Sequence, residues 1–555
     1  MVKVANPKVI LLIMIFSQQL VQAQGVYNAA ADEAKLKDYQ GRIIRTAEAL
    51  GVRLSEELPV YAGPGGQDRP ASAFTAPQSG SRAALPMPAL SGSSPLVPSD
   101  MPLPEPISNS GNAVVIWHSI LAQIGDLGLP LTGSAPSFEE ISKRVNDIVK
   151  KTSFKARNQG QPSLFTESGF VKEFESATGA LFMDGNSTKL LIDGEEAFAV
   201  KDSLIKNSKK SLLISTWAFY DDITGYQTAQ MLIEKKKQGV DIKIILDNKI
   251  VYSHGRKVIK MMKNSGIEII RYEDSERGGD YWHVKMMIAD DKYAIVGGMN
   301  FGDPYSHRDP NFFKWRDTDI MYSGPAALQS RRIFARIWNA KVKEINLPFR
   351  TLDPGSDNCD FEAGSARISI MLQDPPKTSP ILVSIIKAIY GASKVVNIEN
   401  AYMVAIPVVT QAVLDARARG VEVNILTNSK ESIDAEGRPI IDAMAKCLIP
   451  FVQAGANVYL KQGKGDTLHS KFMTVDGLYT SIGSYNIHPR GERSDTELNL
   501  NILDKSVTEQ LDAVFIRDIS SARKIDSVNE LRENPGLLSQ IMSEFFYAQL
   551  SPGKQ

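Results

Sequence analysis

Cysteine is nearly absent from this chain: its 555 residues include Cys359 and Cys447 and no others. That excludes a disulfide-stapled scaffold and a cysteine-built zinc ribbon. Net charge is missing too, with 63 basic side chains against 63 acidic ones. No global field therefore draws the chain to nucleic acid or to an anionic surface, although a local patch is compatible with the balance. No apolar run approaches the roughly 20 residues that span a bilayer as a helix. What remains is ordinary, 43% hydrophobic and 23% charged residues. That composition excludes collagen-like, wholly disordered and polytopic membrane chains, and the length suggests roughly two to four domains.

The beginning of the chain has its own pattern. Lys3 and Lys8 precede the short apolar run Val9 to Phe16, and Leu20-Val21-Gln22-Ala23 closes the segment before Gln24. A basic start, a short apolar stretch and a small-residue end predict a removable secretory signal over residues 1–23, and so a periplasmic or secreted protein. A buried N-terminal helix is the plainer alternative. In an oxidising compartment Cys359 and Cys447 can pair, which stabilises by up to about 4 kcal/mol in the loop-entropy account. Two buried free thiols are the equal alternative. Residues 24–60 carry helical spacing. Residues 61–110 hold ten of the 29 prolines among Ser, Gly and Ala, the composition of a flexible linker.

From about residue 160 onward, β-branched runs alternate with helical ones, which predicts an α/β fold. Ser211–Thr216, Thr224–Gln238 and Asp241–Leu246 read as strand, helix and strand. Val395–Glu399, Val408–Arg419 and Val421–Thr427 repeat that order. Gln238-Gly239-Val240-Asp241 and Arg419-Gly420-Val421-Glu422 end a helix at glycine and enter a buried strand in the same way. The chain thus contains an internal duplication, with a first lobe expected over 111–350 and a second over 351–555.

The duplicated chemistry is sharper still. His283-x-Lys285 is followed by Asp290, and His469-x-Lys471 by Asp476. With histidine this scarce, two chance matches to that spacing are expected on the order of 10⁻⁴ times per chain. Each copy continues into Gly297-Gly298-Met299-Asn300 or Gly483-Ser484-Tyr485-Asn486, with 17 positions from His to Asn in both. An acidic residue, Asp317 or Glu497, then opens a further strand-like run. Residues i and i+2 share one face of a strand, so each copy presents an imidazole, a cation and an amide together. Gly298 and Ser484 leave room beside them. Two facing copies suit an anionic phosphodiester.

With these residues in view, the sequence from about 160 to 550 resembles the phospholipase D superfamily, whose hallmark is this duplicated motif. Residues 297–305, Arg308-Asp309-Pro310, Trp315-Arg316-Asp317-Thr318, Leu468-His469-Ser470-Lys471 and Asn486-Ile487-His488-Pro489-Arg490 are most similar to bacterial cardiolipin synthases. Two features depart from that group: the signal-like start in place of membrane helices, and Gly491-Glu492-Arg493-Ser494 in place of a direct Arg-Ser. The resemblance implies two α/β/α lobes related by a pseudo-twofold axis, with one active site at their interface. It implies a covalent phosphohistidine, His283 as nucleophile and His469 as acid and base. Lys285, Lys471, Asn300 and Asn486 would stabilise the phosphoryl oxygens. Asp317 and Glu497 would orient the imidazoles across the site, and Asp290 and Asp476 would secure each motif's local structure. No metal or other cofactor is implied. The partner implied is phospholipid at a membrane surface, met by a monomer whose lobes form an internal pseudo-dimer. A secreted nuclease and a catalytically silent envelope scaffold are the rival readings; zero net charge opposes the first and two intact motifs oppose the second.

Plainer expectations attach to the neighbouring residues. His307 and His488 read as structural or solvated, and His118 and His254 carry no signal. Glu234-Lys235-Lys236-Lys237 reads as a solvated helix face. Phe312-Phe313-Lys314-Trp315 reads as a packed loop before a lipid-facing lip, and Tyr281-Trp282 as core.

Overall fold

The computed structural model describes residues 138–532, apart from 275–279, 311, 356–359, 376, 436 and 438–439. The signal-like segment, the helical spacing of 24–60, the proline-rich stretch, His118 and Cys359 all lie outside the described residues. Cys447 is a free thiol that donates to the Ala405 carbonyl, and burial pushes it up to about 12.

The first lobe contributes β1 (Met183–Ile192), β2 (Ser211–Thr216), β3 (Asp241–Asp247), β4 (Glu268–Tyr272), β5 (Met286–Ala289), β6 (Tyr293–Gly297) and β7 (Thr318–Ser323). The second contributes β8 (Ala366–Gln373), β9 (Val395–Asn400), β10 (Glu422–Asn428), β11 (Asn457–Lys461), β12 (Lys471–Val475), β13 (Tyr479–Gly483), β14 (Glu497–Leu503) and β15 (Arg523–Ile525). In space the first lobe runs β1-β7-β6-β5-β2-β3-β4 and the second β8-β14-β13-β12-β9-β10-β11-β15. Apart from the added edge strand β15, each strand of one lobe has its counterpart at the same place in the other. The antiparallel pairing of β1 with β8 joins both into one 15-stranded sheet. Strands β2, β3 and β4 are parallel, as are β9, β10 and β11, and the motif strands β5 and β12 run antiparallel to β2 and β9.

Two-sided burial follows from alternation along these strands. Ile242, Ile244 and Leu246 face a core that includes Phe198, Leu232 and Val258, from helices α3 (Asp193–Asn207), α4 (Ile223–Lys237) and α5 (Arg256–Asn264). Ile245 and Leu213 face the opposite way, into a core shared by the two lobes. That core includes Trp338 from α6 (Pro325–Glu344) and Phe515 from α10 (Lys505–Ser520). The outer face of the second lobe is covered by α7 (Pro380–Gly391), α8 (Pro407–Ala418) and α9 (Ile441–Gln453).

Helices α1 (Phe138–Val149) and α2 (Ser168–Thr178) precede β1 in sequence, and the expected boundaries put them in the first lobe. In space they join the core of the second. Phe165 stacks on Tyr479 at 4.6 Å, Phe174 meets the same ring edge-on at 5.7 Å, and Glu173 pairs with buried Lys387 at 2.6 Å. Fully burying Phe170 and Phe174 contributes about 1.5–3 kcal/mol each, which outweighs chain order in deciding where they dock. On α4, Lys235 is not solvated. It is buried and donates to the Lys206 carbonyl at 3.0 Å and to Gln238 at 2.9 Å, while exposed Lys237 pairs with Glu234.

Asp290 and Asp476 occupy equivalent turns with φ of 52° and 54°. Asp290 accepts the backbone amides of Lys209, Lys210 and Ser211; Asp476 accepts those of Ser393, Lys394 and Val395. Each carboxylate thereby ties the end of the motif strand to the start of its neighbour. Asp290→Ala leaves three amides without their charged acceptor and places alanine at positive φ, so it is expected to lower the unfolding free energy by about 2–3 kcal/mol. Denaturant titration is the check. Asp290→Asn, which tolerates the same backbone, should cost less.

Candidate active site

Each motif histidine lies just before its strand, in an extended segment that pairs with the opposite lobe. His283 N–H donates to the Thr496 carbonyl at 3.0 Å, and Thr496 N–H to Tyr281 at 2.9 Å. In the mirror arrangement His469 N–H donates to the Arg316 carbonyl at 2.7 Å, and Arg316 N–H to Thr467 at 2.8 Å. Thr496 and Arg316 immediately precede Glu497 and Asp317. The same backbone bridges therefore deliver each carboxylate to the other lobe's imidazole. Nδ1 of His283 meets Glu497 at 2.9 Å, and Nδ1 of His469 meets Asp317 at 2.8 Å. A carboxylate on Nδ1 fixes the tautomer with the proton there, which leaves Nε2 free to attack or to carry a proton.

The carboxylates fit because the positions beside them differ in size. A Cβ at Gly298 would stand 2.2 Å from Asp317 Oδ1. Ser484, at the equivalent place, donates its hydroxyl to Glu497 at 2.5 Å. The shorter acid thus lies against glycine and the longer one against serine. Both lysines curl back: Lys285 Nζ donates to the His283 carbonyl at 2.7 Å, and Lys471 Nζ to that of His469.

The two amides are not alike. Asn300 is fully engaged, accepting from Thr216 at 3.2 Å and donating to the Tyr305 hydroxyl at 2.9 Å. Asn486 has a buried Oδ1 without a donor among the described residues. Among the described residues no group of three or more His, Cys, Asp or Glu side chains is placed to hold a metal ion.

Several residues at the site have no motif to announce them. Asp247, at the end of β3, accepts Trp282 N–H at 2.8 Å; Asn428, at the end of β10, accepts Leu468 N–H at 2.9 Å. Both therefore hold the residue just before a motif histidine, and the aligned strand ends Leu246-Asp247 and Thr427-Asn428 were the available signal. Burial raises the Asp247 carboxyl to about 6. Trp315 lies nearly parallel to the His469 ring at 5.4 Å, with Tyr305 at 5.1 Å and Tyr402 at 6.1 Å. Trp217 approaches His283 edge-on at 6.2 Å and neighbours His254 and Tyr281. Of the expected core pair, Trp282 is buried and donates to Ser215 at 2.8 Å. Tyr281 instead stands at the site, beneath the Arg490 guanidinium at 4.6 Å. Phe313 is exposed beside Phe312, so the 312–315 loop is packed at Trp315 and open at its tip. His307 accepts a structural role, bonding the Trp315 carbonyl at 2.9 Å, and buried His488 accepts Arg490 N–H at 3.2 Å.

Electrostatics favour binding of an anion. Burial, then the charge of Lys285, holds His283 well below the usual imidazole range. Burial and Lys471 push His469 down to about 4, and His488 likewise falls to about 4 through burial. Burial lowers Lys285 to about 7 and Lys471 to about 8. Burial drives Glu497 well above the usual carboxylate range, whereas at Asp317 the opposing pull of His469 and Lys471 outweighs burial and holds it low. A phosphodiester anion would restore the cationic forms of these bases. Arg316 shows the same logic closed internally. It is buried yet paired with Asp518 at 2.6 Å, Asp193 at 3.4 Å and Glu399 at 3.5 Å, and donates to the Asp317 carbonyl and Thr318 hydroxyl.

The sequence model of the family described as "Cardiolipin synthase, PLD-like domain" matches residues 202–338 and 385–519. This chain belongs to the phospholipase D superfamily. Within the superfamily it is 28% identical to cardiolipin synthase A of Pseudomonas syringae pv. syringae (strain B728a) over 359 residues, 63% of this chain and 71% of that protein. It is 26% identical to cardiolipin synthase A of Pseudomonas putida over 353 residues, 61% of this chain and 69% of that one. The fold is similar to the crystal structure of phosphatidylserine synthase from Haemophilus influenzae Rd KW20, with a TM-score of 0.54 and 14% identity, covering 68% of this chain and 98% of that one. The two phospholipase D-like domains of this chain thus form an internal pseudo-dimer. No helix among the described residues is long and apolar enough to cross a membrane.

Two outcomes follow for this phospholipase D-type site. Gly298→Ala pushes Asp317 away from His469, so it should cost about 1–3 kcal/mol of stability and most of the activity, read from unfolding curves and turnover; Ser484→Gly should be milder. Affinity for tungstate, a phosphate-like anion, should fall as pH rises through 7 and 8, because depressed lysines lose their charge there. Titration calorimetry across pH 6–9 checks it, and Lys285→Arg, which does not titrate, should move that fall to higher pH.

Proposed function

We propose that this protein is a phospholipase D-type phosphatidyltransferase. It exchanges the headgroup alcohol of a phospholipid for another alcohol, with water as the competing acceptor. The observation that carries this reading is the crossed pairing of His283 with Glu497 and His469 with Asp317, which leaves two Nε2 atoms beside two buried lysines. One imidazole attacks phosphorus and forms a covalent phosphohistidine; the other protonates the leaving alcohol and then deprotonates the acceptor. Lys285, Lys471 and Asn486 stabilise the phosphoryl oxygens as negative charge builds on them, and Asn300 holds the Tyr305 hydroxyl. The likeness to cardiolipin synthases supports a phospholipid as donor. Zero net charge favours lipid over nucleic acid, and the basic-apolar-small pattern of residues 1–23 supports export and a periplasmic or extracellular place of action.

Purified full-length protein given phosphatidylglycerol vesicles should release glycerol or form an exchanged lipid, and the exchanged fraction should grow with added acceptor alcohol. His283→Ala and His469→Ala should each reduce turnover by at least about 1,000-fold. Cleavage of DNA with no lipid product would contradict the lipid reading, and near-full activity in either variant would contradict the paired-histidine chemistry. Product chromatography distinguishes these outcomes.

A further inference from the structure

The two imidazoles sit in different surroundings. The His469 side chain is 5% exposed and hemmed in by Trp315, Tyr305 and Tyr402. The His283 side chain is 13% exposed, with Trp217 edge-on to its ring at 6.2 Å. Trp217 is itself only 6% exposed, and its Nε1 donor has no partner among the described residues. A buried N–H without an acceptor is costly, and a ligand oxygen relieves that cost. The polar surroundings continue through Tyr281, 6.1 Å from the indole, to Arg490, which is held by Asp495 at 2.7 and 3.0 Å. An enclosed, aromatic-walled side at His469 and a more exposed side with an unsatisfied donor at His283 divide the cleft.

Resting on the phosphatidyl-transfer reading above, we propose that the hydroxyl-bearing alcohol, first the departing headgroup and then its acceptor, binds on the His283 side with the Trp217 indole N–H donating to one of its oxygens. His283 is then the acid and base, and His469 the nucleophile, the reverse of the order implied by family resemblance. His469 Nε2 bonds to phosphorus as the bond from phosphorus to the headgroup oxygen breaks, and His283 Nε2–H gives that oxygen its proton. The acceptor hydroxyl next returns a proton to His283, its oxygen bonds to phosphorus, and the phosphorus–nitrogen bond breaks. The net change is one alcohol for another, with both imidazoles restored. Asp317, held ionised, balances the positive ring of the phosphohistidine, and the aromatic enclosure shields that adduct from water.

The test uses phosphatidyl-p-nitrophenol, whose leaving group departs without a proton. Full-length His283→Ala should release one equivalent of p-nitrophenol in a burst and retain a phosphatidyl adduct that peptide mass spectrometry places on His469. His469→Ala should give no burst. His283→Asn repeats the trapping if the alanine variant does not fold. Trp217→Phe should raise the glycerol concentration for half-maximal transfer about three- to tenfold, as expected for one lost hydrogen bond. An adduct on His283, or a burst from His469→Ala, overturns the assignment, and an unchanged glycerol dependence in Trp217→Phe overturns the alcohol subsite. Wild-type protein inert to phosphatidyl esters yet active on another diester would instead remove the phosphatidyl-transfer reading, and this inference with it.

Discussion

Neither lobe contains a complete site, because each imidazole is held by a carboxylate from the other. That exchange depends on two backbone bridges, Trp282 with Thr496 and Arg316 with Leu468, and therefore on the two sheets meeting in one register. The β1–β8 seam and the shared core around Trp338, Leu468 and Phe515 supply that register. A slip of one residue at either bridge would turn Glu497 or Asp317 to the opposite face of its strand, away from the histidine. The duplication is thus a condition of the chemistry.

The crossed pairs also explain where charge is tolerated. Desolvation lowers both motif histidines and both motif lysines at once, so the site binds protons less readily than its residue types suggest. Two nearby groups carry their compensation with them. Arg316 is balanced by Asp518, Asp193 and Glu399, and it grips the backbone of Asp317 directly. Lys201 is balanced by Asp319 at 2.7 Å behind the first motif. The motif lysines, by contrast, hydrogen-bond only to the carbonyl of their own histidine among the described residues, and so remain available to an anion.

Much of this was legible in the residues alone. Strand and helix spans such as Ser211–Thr216 and Val395–Glu399 follow from local alternation, and the site histidines, lysines and acids from spacing. The orienting roles of Asp317 and Glu497 are implied by family resemblance; in the structure each carboxylate contacts the imidazole of the other lobe. What stayed hidden depends on distant contacts that leave no local period. Asp247 and Asn428 look like ordinary strand ends until the chain brings Trp282 and Leu468 to them. Tyr281 neighbours a core tryptophan in sequence but contacts Arg490 and Trp217. Helices α1 and α2 carry apolar faces that fit either lobe, and only the aromatic cluster around Tyr479 decides between them.

In the proposed mechanism two imidazoles act in turn on one phosphorus, which requires two displacements, each inverting configuration. The most direct measurement is the stereochemical course of transfer from a lipid made chiral at phosphorus with oxygen isotopes, analysed by phosphorus NMR after exchange to a new alcohol. Overall retention is the predicted result. Inversion would mean a single direct displacement and would contradict the covalent mechanism built on His283 and His469.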